Sequence, residues 1–496
     1  MLFVTDRPRP SLLAGVAALA SAAAEAGADR LTVALGGRER ARVIVVLACV
    51  LGLSAADVST VGASATELRH GLHISNTDIG LLVAATSLVG AVASLPFGVL
   101  ADRVRRTTTL SITIVLWAVA MLWSASVSSF RDLLVARIFL GAVTAAAGPM
   151  IASLVGDYFG SWERGRIYGY ILTGELLGAG FGFAVTGDIA TASWRAAFVI
   201  LALPALALSI FVARLPEPRR GGKGVLGHEG EQQPERTDEL PHETDAQRLA
   251  RERGLEPDPD LVLSADPRRM NIVAATRYVL SIRTNNYLIA ASALGYYFLA
   301  GVQTFGVEFA TNQYGIDQAL ASLLLLVVGV GAVAGVLAGG AAGDLLLRRG
   351  HINGRILVSA AAATASVALF LPALLTRNAG SAVVYLMAAA FALSAQNPPL
   401  DAARLDIMVP GLWGRAESVR TFLRTLAMAL APLLFGAVSD HVFGGGRSGL
   451  LWTFMIMLVP LAGSAFFLFR ALDTYPQDVA TAGAAGGWGT RRRRRR

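Results

Sequence analysis

The sequence predicts an all-α membrane protein: twelve transmembrane helices in two pseudo-symmetric halves of six. Three observations predict it. The chain of 496 residues is 54% apolar and 16% charged, with a mean hydropathy of +0.55, whereas soluble domains carry about 25% charged residues. Apolar runs recur at the length, about 20 residues, that a helix needs to cross a bilayer. Two stretches 242 residues apart also read almost alike, Gly98-Val99-Leu100-Ala101-Asp102-Arg103-Val104-Arg105-Arg106 and Gly340-Ala341-Ala342-Gly343-Asp344-Leu345-Leu346-Leu347-Arg348-Arg349. Each ends an apolar run with a small residue and an acid, then arginines. A repeated membrane half implies a transporter.

The spans expected in the first half are 42–66, 78–100, 108–128, 131–156, 165–187 and 194–214. Those of the second half are 286–310, 318–342, 354–376, 381–405, 416–442 and 449–471. The domain organisation follows: an N-terminal extension 1–41, a six-helix half 42–214, a linker 215–285, a second half 286–471 and an Arg-rich tail 472–496. Connections alternate in charge. Arg38–Arg42, Arg103–Arg106, Glu163–Arg166, Arg348–Arg355 and Arg404–Arg415 are basic, and the connections between them are poor in arginine. The positive-inside rule then puts both termini in the cytosol. The bias toward Ala, Gly and Arg points to a GC-rich bacterial genome and hence to the inner membrane.

The net charge of +8 does not read as nucleic-acid binding, because the arginines cluster between apolar runs and at the tail. The single Cys49 lies inside an apolar run, so neither a disulfide framework nor a cysteine metal cluster is available. Residues 11–27 read as a flexible or amphipathic extension rather than a cleaved signal peptide. Arg491–Arg496 reads as a solvated tail or a lipid-headgroup ligand. The linker is rich in Glu, Asp, Pro and Arg, which predicts disorder over most of it. Its end, Arg268–Arg283, mixes Ile272, Val273, Tyr278, Val279 and Ile282 with arginines. That is either a helix lying on the inner leaflet or the start of helix seven.

Charge within a membrane costs at least ~2.5 kcal/mol per group, so each case demands a reason. Asp57, in helix one, is expected to be desolvated and able to take a proton; a helix–helix hydrogen bond is the structural alternative. Arg137, near the outer end of helix four, could snorkel or pair with a buried acid. Glu175 sits about 15 Å along helix five, close to the midplane. It precedes Gly178-Ala179-Gly180-Phe181-Gly182, a smooth surface for helix packing. Arg420 and Arg424, one turn apart on helix eleven, suit a phosphate or carboxylate, or else clamp Asp401 and Asp406 across a gate. Tyr296, Tyr297 and Gln303 of helix seven are candidates for lining the cavity. Gly98, Asp102, Arg103, Arg106, Asp344 and Arg348 are read as gate machinery, with salt bridges that lock one state and break in the other. His70 and His73 lie in a short outer loop and read as solvated. No phosphate-cradling GxxxxGK[ST] occurs, which argues against ATP-driven pumping. No cofactor, metal site or enzyme constellation is expected.

These residues resemble the major facilitator superfamily. Gly98–Arg106 is similar to its loop 2–3 motif, and Arg137-x-x-x-Gly141 to its helix-four motif. Within it the chain looks most like the spinster-like transporters. The residues that carry this are Asp57, Asp157-Tyr158-Phe159 with Arg164-Gly165, Gly178–Gly182, Trp194-Arg195-Ala196-Ala197-Phe198, and Pro432 to Ser439-Asp440. The resemblance covers 42–214 and 286–471. It implies export of amphipathic lipids such as lysophospholipids, with proton coupling. An arginine usually follows the helix-one acid, and here it is Val58; a glutamate usually stands where Thr144 does. Glu175 is expected to replace the missing acid.

The expectation is therefore a monomeric secondary transporter of an amphipathic, lipid-like solute, coupled to protons through Asp57, Arg137 and Glu175. Tyr296, Tyr297, Gln303, Arg420 and Arg424 would contact the solute. A multidrug/proton antiporter is the alternative in the same fold. A non-transporting sensor or a lipid scramblase is the alternative of another class.

Overall fold

The computed structural model describes residues 32–486 except 34, 75, 221–242, 264–265 and 445. The N-terminal stretch 1–31, the middle of the linker and the arginine run at the C-terminus lie outside the described residues. All regular structure among the described residues is helical.

The first half comprises α1 (Arg38–Ala63), α2 (Asn76–Arg103), α3 (Arg106–Ser126), α4 (Phe130–Tyr158), α5 (Arg164–Ala192) and α6 (Trp194–Ala213). The second comprises α7 (Arg283–Tyr314), α8 (Gln318–Arg348), α9 (Gly354–Leu375), α10 (Ala379–Asp406), α11 (Trp413–Ala437) and α12 (Gly446–Gly486). Among the described residues eleven of these are long and apolar enough to cross a membrane. The other is α5, whose 29 residues suffice in length; its glycines and Glu175 lower its hydropathy.

Local chemistry sets the ends. Ser129, Ser193, Asp317 and Asn378 cap α4, α6, α8 and α10 with their side-chain oxygens, replacing the backbone acceptors that a first turn lacks. α4 and α10 are each broken, at Ala145-Ala146 and at Gln396. Pro149 and Pro398-Pro399 follow the breaks, and a proline offers no N–H to the preceding turn.

In the first half α1 lies on α5, α2 on α4, and α3 on α6; in the second α7 lies on α11, α8 on α10, and α9 on α12. Small residues set the spacing. Cβ atoms at Gly174, Gly178 and Gly182 would stand 2.3, 2.0 and 2.4 Å from the carbonyl oxygens of Ala48, Gly52 and Ala56. The α1–α5 seam is thus a four-residue ladder of small residues. Gly180 faces no heavy atom within 4 Å, so the glycine surface expected over 178–182 uses only its two ends. The second half repeats the device: Gly331, Gly335 and Gly339 of α8 abut the carbonyls of Met387, Phe391 and Ala395.

The halves meet along α2–α11 and α5–α8. Their closest approaches lie at the arginine-rich end, where Gly98 meets Ser418 and Gly414, and Gly165 meets Gly340.

Two expectations change. The linker was expected to be mostly disordered, yet its described parts fold. A helix Asp245–Glu252 begins with a Thr244/Gln247 capping box, and a second helix spans Ile272–Ser281. The tail expected from residue 472 begins as helix, because α12 runs on to Gly486. The reason is polar contact beyond the apolar run. The Tyr475 hydroxyl donates to Asp406 at 2.9 Å, the Thr284 amide donates to Asp478 at 2.9 Å, and Gln247 donates to the Asp406 carbonyl at 2.9 Å.

Candidate functional site

The repeated acids do equivalent work. Asp102, at the end of α2, accepts the backbone amides of Gly414 and Arg415 at 2.9 and 3.2 Å and the Arg415 guanidinium at 2.8 Å. Asp344, at the end of α8, accepts the amides of Gly165 and Arg166 at 3.2 and 2.7 Å, and pairs with Arg355 at 2.6 Å. Each acid therefore caps the N-terminus of a helix in the other half, where free amides and the helix dipole favour a carboxylate. Both acids are fully buried.

The arginines expected to serve as gate machinery are placed differently from the expectation. Arg103 and Arg348 do not pair with the repeated acids. Arg103 is exposed and donates to the Met270 carbonyl at 2.9 Å, and Arg348 lies 5.3 Å over the Trp162 ring of the other half. Arg106 is fully buried, ion-paired with Asp157, and bonded to Glu217 at 2.8 Å. The side chains that complete the two caps are Arg415 and Arg355, which sequence reasoning did not single out. A signal was present: the pairs Gly165-Arg166 and Gly414-Arg415 recur at the starts of α5 and α11.

Next to the Asp102 cap, on α10 and α11, lies a cluster of charge. Arg404 pairs with Asp401 at 3.3 Å and with Glu417. Arg420 pairs with Asp401 at 3.2 Å and Glu417 at 2.6 Å, and donates to Ser292 at 3.3 Å. So Arg420 is consumed by the acids of α10 and α11. Glu417 belongs to this network and was not anticipated. Desolvating so many charges is tolerable only because they pair.

Arg424 behaves otherwise. It makes no ion pair within 4.0 Å among the described residues; its guanidinium carbon stands 4.3 Å over the ring of Tyr296, and its Nε has no hydrogen-bond partner among them. Glu175 and Asp401 lie within its electrostatic range. Arg424, Tyr296 and Glu175 are all half-buried. Three elements, α5, α7 and α11, thus bring one acid, one phenol and one uncommitted guanidinium together near mid-membrane depth.

The other candidates lie apart. Asp57 and Arg137 are paired at 2.7 Å, and both are buried. Of the two readings of Arg137, the pairing with a buried acid holds, and that acid is Asp57, 80 residues away. The α1–α5 ladder sets Gly174 level with Ala48 and Gly182 level with Ala56. Glu175 therefore lies about 12 Å from the level of Asp57 along the helix axes, so the three residues expected to couple protons form two sites. Tyr297 points away from the cluster: its hydroxyl meets the Met457 sulfur at 3.3 Å and its ring lies 5.9 Å from Phe435. It is buried core, not cavity lining. Gln303 is exposed on α7. Among the described residues no group of three His, Cys, Asp or Glu side chains is placed to hold a metal ion.

Outside the spans, Glu217 receives the Thr107 amide and hydroxyl, both at 2.9 Å. Burial pushes this carboxyl up, but those bonds and the Arg106 guanidinium outweigh it and hold it below its ordinary range.

A family model described as "Major Facilitator Superfamily" matches residues 47–432. Over 162 residues the chain is 29% identical to the "Probable L-galactonate transporter" of Escherichia coli (strain K12), covering 32% of this chain and 34% of that protein. Over 173 residues it is 31% identical to "Protein spinster homolog 3" of Homo sapiens, covering 32% and 33%. The matched stretches span about a third of each of these two relatives. Among solved structures, the transporter FucP in the outward conformation aligns with a TM-score of 0.64 at 13% identity, covering 86% of this chain and 98% of that one. A bacterial homolog to the human lysosomal transporter Spinster, inward-facing and occupied, aligns at 0.53 and 18% identity, covering 88% and 98%. At such identities the likeness is one of fold.

Proposed function

The chain belongs to the major facilitator superfamily, and from that premise we propose that it carries an organic anion with an amphipathic body across the bacterial inner membrane, coupled to protons. The observation that carries this reading is Arg424, a half-buried guanidinium stacked on Tyr296 with no carboxylate in ion-pair reach among the described residues. A guanidinium so placed suits a carboxylate or phosphate head, bound bidentately.

Glu175 supplies the coupling. While ionised it offsets the charge of Arg424; once protonated it leaves that charge to the substrate. Proton and anion then bind together. Asp57 and Arg137 form a separate buried pair, and we assign them to holding α1 against α4. The gate closes the cytosolic side, and the halves rock about the central site. The galactonate transporter matches over a third of its length, and its name supports an aldonate as one candidate anion; a lysophospholipid is the second, which the resemblance to the spinster-like transporters implies. A drug/proton antiporter is the competing reading; there a cationic solute replaces the proton at Glu175.

The test is flux into proteoliposomes of labelled D-galactonate and of a labelled lysophospholipid, with and without an imposed pH gradient. Gradient-stimulated flux of either anion is expected, and Glu175→Gln should carry it without the stimulation. Full retention of pH coupling in Glu175→Gln would sink the role of that acid. Flux of lipophilic cations alone would favour the antiporter.

A further inference from the structure

The helix Ile272–Ser281 presents two different faces. Ala275 and Val279, with Ile282 just beyond, are buried, and the helix lies against α7, α11 and α2. Val273, Arg277 and Leu280, at i, i+4 and i+7, form the opposite face. Val273 is 73% exposed and Leu280 38%, and Arg277 between them is exposed. Arg269 is exposed one turn earlier. Neither arginine forms an ion pair among the described residues. In water this face would leave two branched apolar side chains wet around an unpaired charge. At a membrane surface the apolar pair enters the acyl boundary and the guanidinium meets phosphate.

The same segment touches the gate. Just before the helix, the carbonyls of Pro267 and Met270 accept from the Arg415 guanidinium at 3.0 and 3.1 Å, and Met270 also accepts from Arg103. Arg415 is the arginine that completes the Asp102 cap. Asn271 then caps the helix through the Ala274 amide at 2.7 Å. The helix and the gate contacts are therefore joined by a few residues with no slack.

We propose that this helix docks onto the headgroups of anionic phospholipids through Arg269 and Arg277, and that the docked lipid steadies the closed gate through Pro267 and Met270. The inference does not depend on which solute is carried. Charge complementarity selects the occupant: two exposed guanidinium groups without an ion pair among the described residues, one of which, Arg277, stands between Val273 and Leu280 on the same helix face.

The test uses the full chain in nanodiscs of phosphatidylcholine alone or of equimolar phosphatidylcholine and phosphatidylglycerol. Spin labels at Arg105→Cys and Arg349→Cys, in a Cys49→Ser background, report the width of the gate, and mass spectrometry counts retained phosphatidylglycerol. The expected result is a larger short-distance population with phosphatidylglycerol, abolished by Arg269→Gln/Arg277→Gln and kept by Arg277→Lys. Lipid retention should fall about fivefold for each arginine neutralised. An equal response of the parent and the double variant, or no preference for phosphatidylglycerol, overturns the docking. Loss of lipid with unchanged gate distances overturns the coupling to the gate.

Discussion

Glu175 and Arg424 occupy equivalent positions in the two halves: each stands ten residues beyond the glycine, Gly165 or Gly414, whose amide is capped by the other half's acid. The repeat that gives two matching acid caps thus sets opposite charges at matching positions of the two halves. Replacing Arg424 by Lys keeps the charge but loses the planar fork and the stacking on Tyr296. The expected outcome is about a tenfold rise in KM for an anionic substrate with kcat little changed, read from concentration-dependent flux. An unchanged KM would remove Arg424 from the binding site.

The two gate acids are predicted to be unequal. Asp102 is the only carboxylate within 4.0 Å of Arg415 among the described residues, whereas Arg355 has both Asp344 and Asp406. Asp102→Asn leaves a buried guanidinium with carbonyl acceptors but no counter-charge, which costs up to about 3–5 kcal/mol in the closed state. Asp344→Asn costs less, because Asp406 remains. Gate-distance distributions of the two variants should rank accordingly, with Asp102→Asn the more open.

Glycines separate in the same way. A Cβ at Gly98 would lie 2.3 Å from the Ser418 hydroxyl and 2.9 Å from the Gly414 carbonyl, so Gly98→Ala should hold the gate apart and slow transport. Gly180 has open space, and Gly180→Ala should stabilise the protein by up to about 1 kcal/mol through helix propensity. Thermal unfolding and flux measured on both variants check the pair. A Gly98→Ala protein with normal flux would contradict the close approach of α2 and α11.

For Asp57 and Arg137 the expected behaviour is non-additive. Either single substitution to Leu strands a buried charge at a cost of about 3–5 kcal/mol, while the double substitution removes both. The double variant should unfold at a higher temperature than either single variant and should retain pH-stimulated flux. Loss of that stimulation in the double variant would return this pair to the coupling machinery.

The contact between the linker and α3 should depend on pH. Glu217 is held below its ordinary value of about 4.3 when folded. A depressed folded pKa contributes stability above the unfolded value, lost as pH falls through the folded one. Hydrogen exchange at the Thr107 amide should therefore stay slow at neutral pH and accelerate, after correction for intrinsic rates, below about pH 4. Glu217→Gln should flatten that response.

Much of this architecture was legible because membrane insertion writes itself into composition. The runs at 42–66 and 354–376 are visible because each must satisfy its backbone in hydrocarbon, and the structure places α1 and α9 there. The Asp102 and Asp344 repeats were legible because duplication preserves spacing. Their partners were not. Arg415 is 313 residues from Asp102, and the Gly-Arg pair it shares with the start of α5 does not say which acid it meets. Tyr296 and Tyr297 are neighbours in sequence yet face a charge cluster and an aromatic core, because adjacent helix positions point about 100° apart.

By itself, then, the sequence determined the number of spans, their division into two halves, and most of the side chains that carry charge into them, Glu417 excepted. Those properties depend on the transfer of each segment from water and are local. Tertiary structure decided between the two readings of the arginines, leaving Arg420 spent on Asp401 and Glu417 and Arg424 without an ion pair among the described residues, and it alone decided that Asp57 and Glu175 lie at different levels. Depth depends on helix register, which along α1–α5 is set by glycine-to-backbone contacts between segments more than a hundred residues apart.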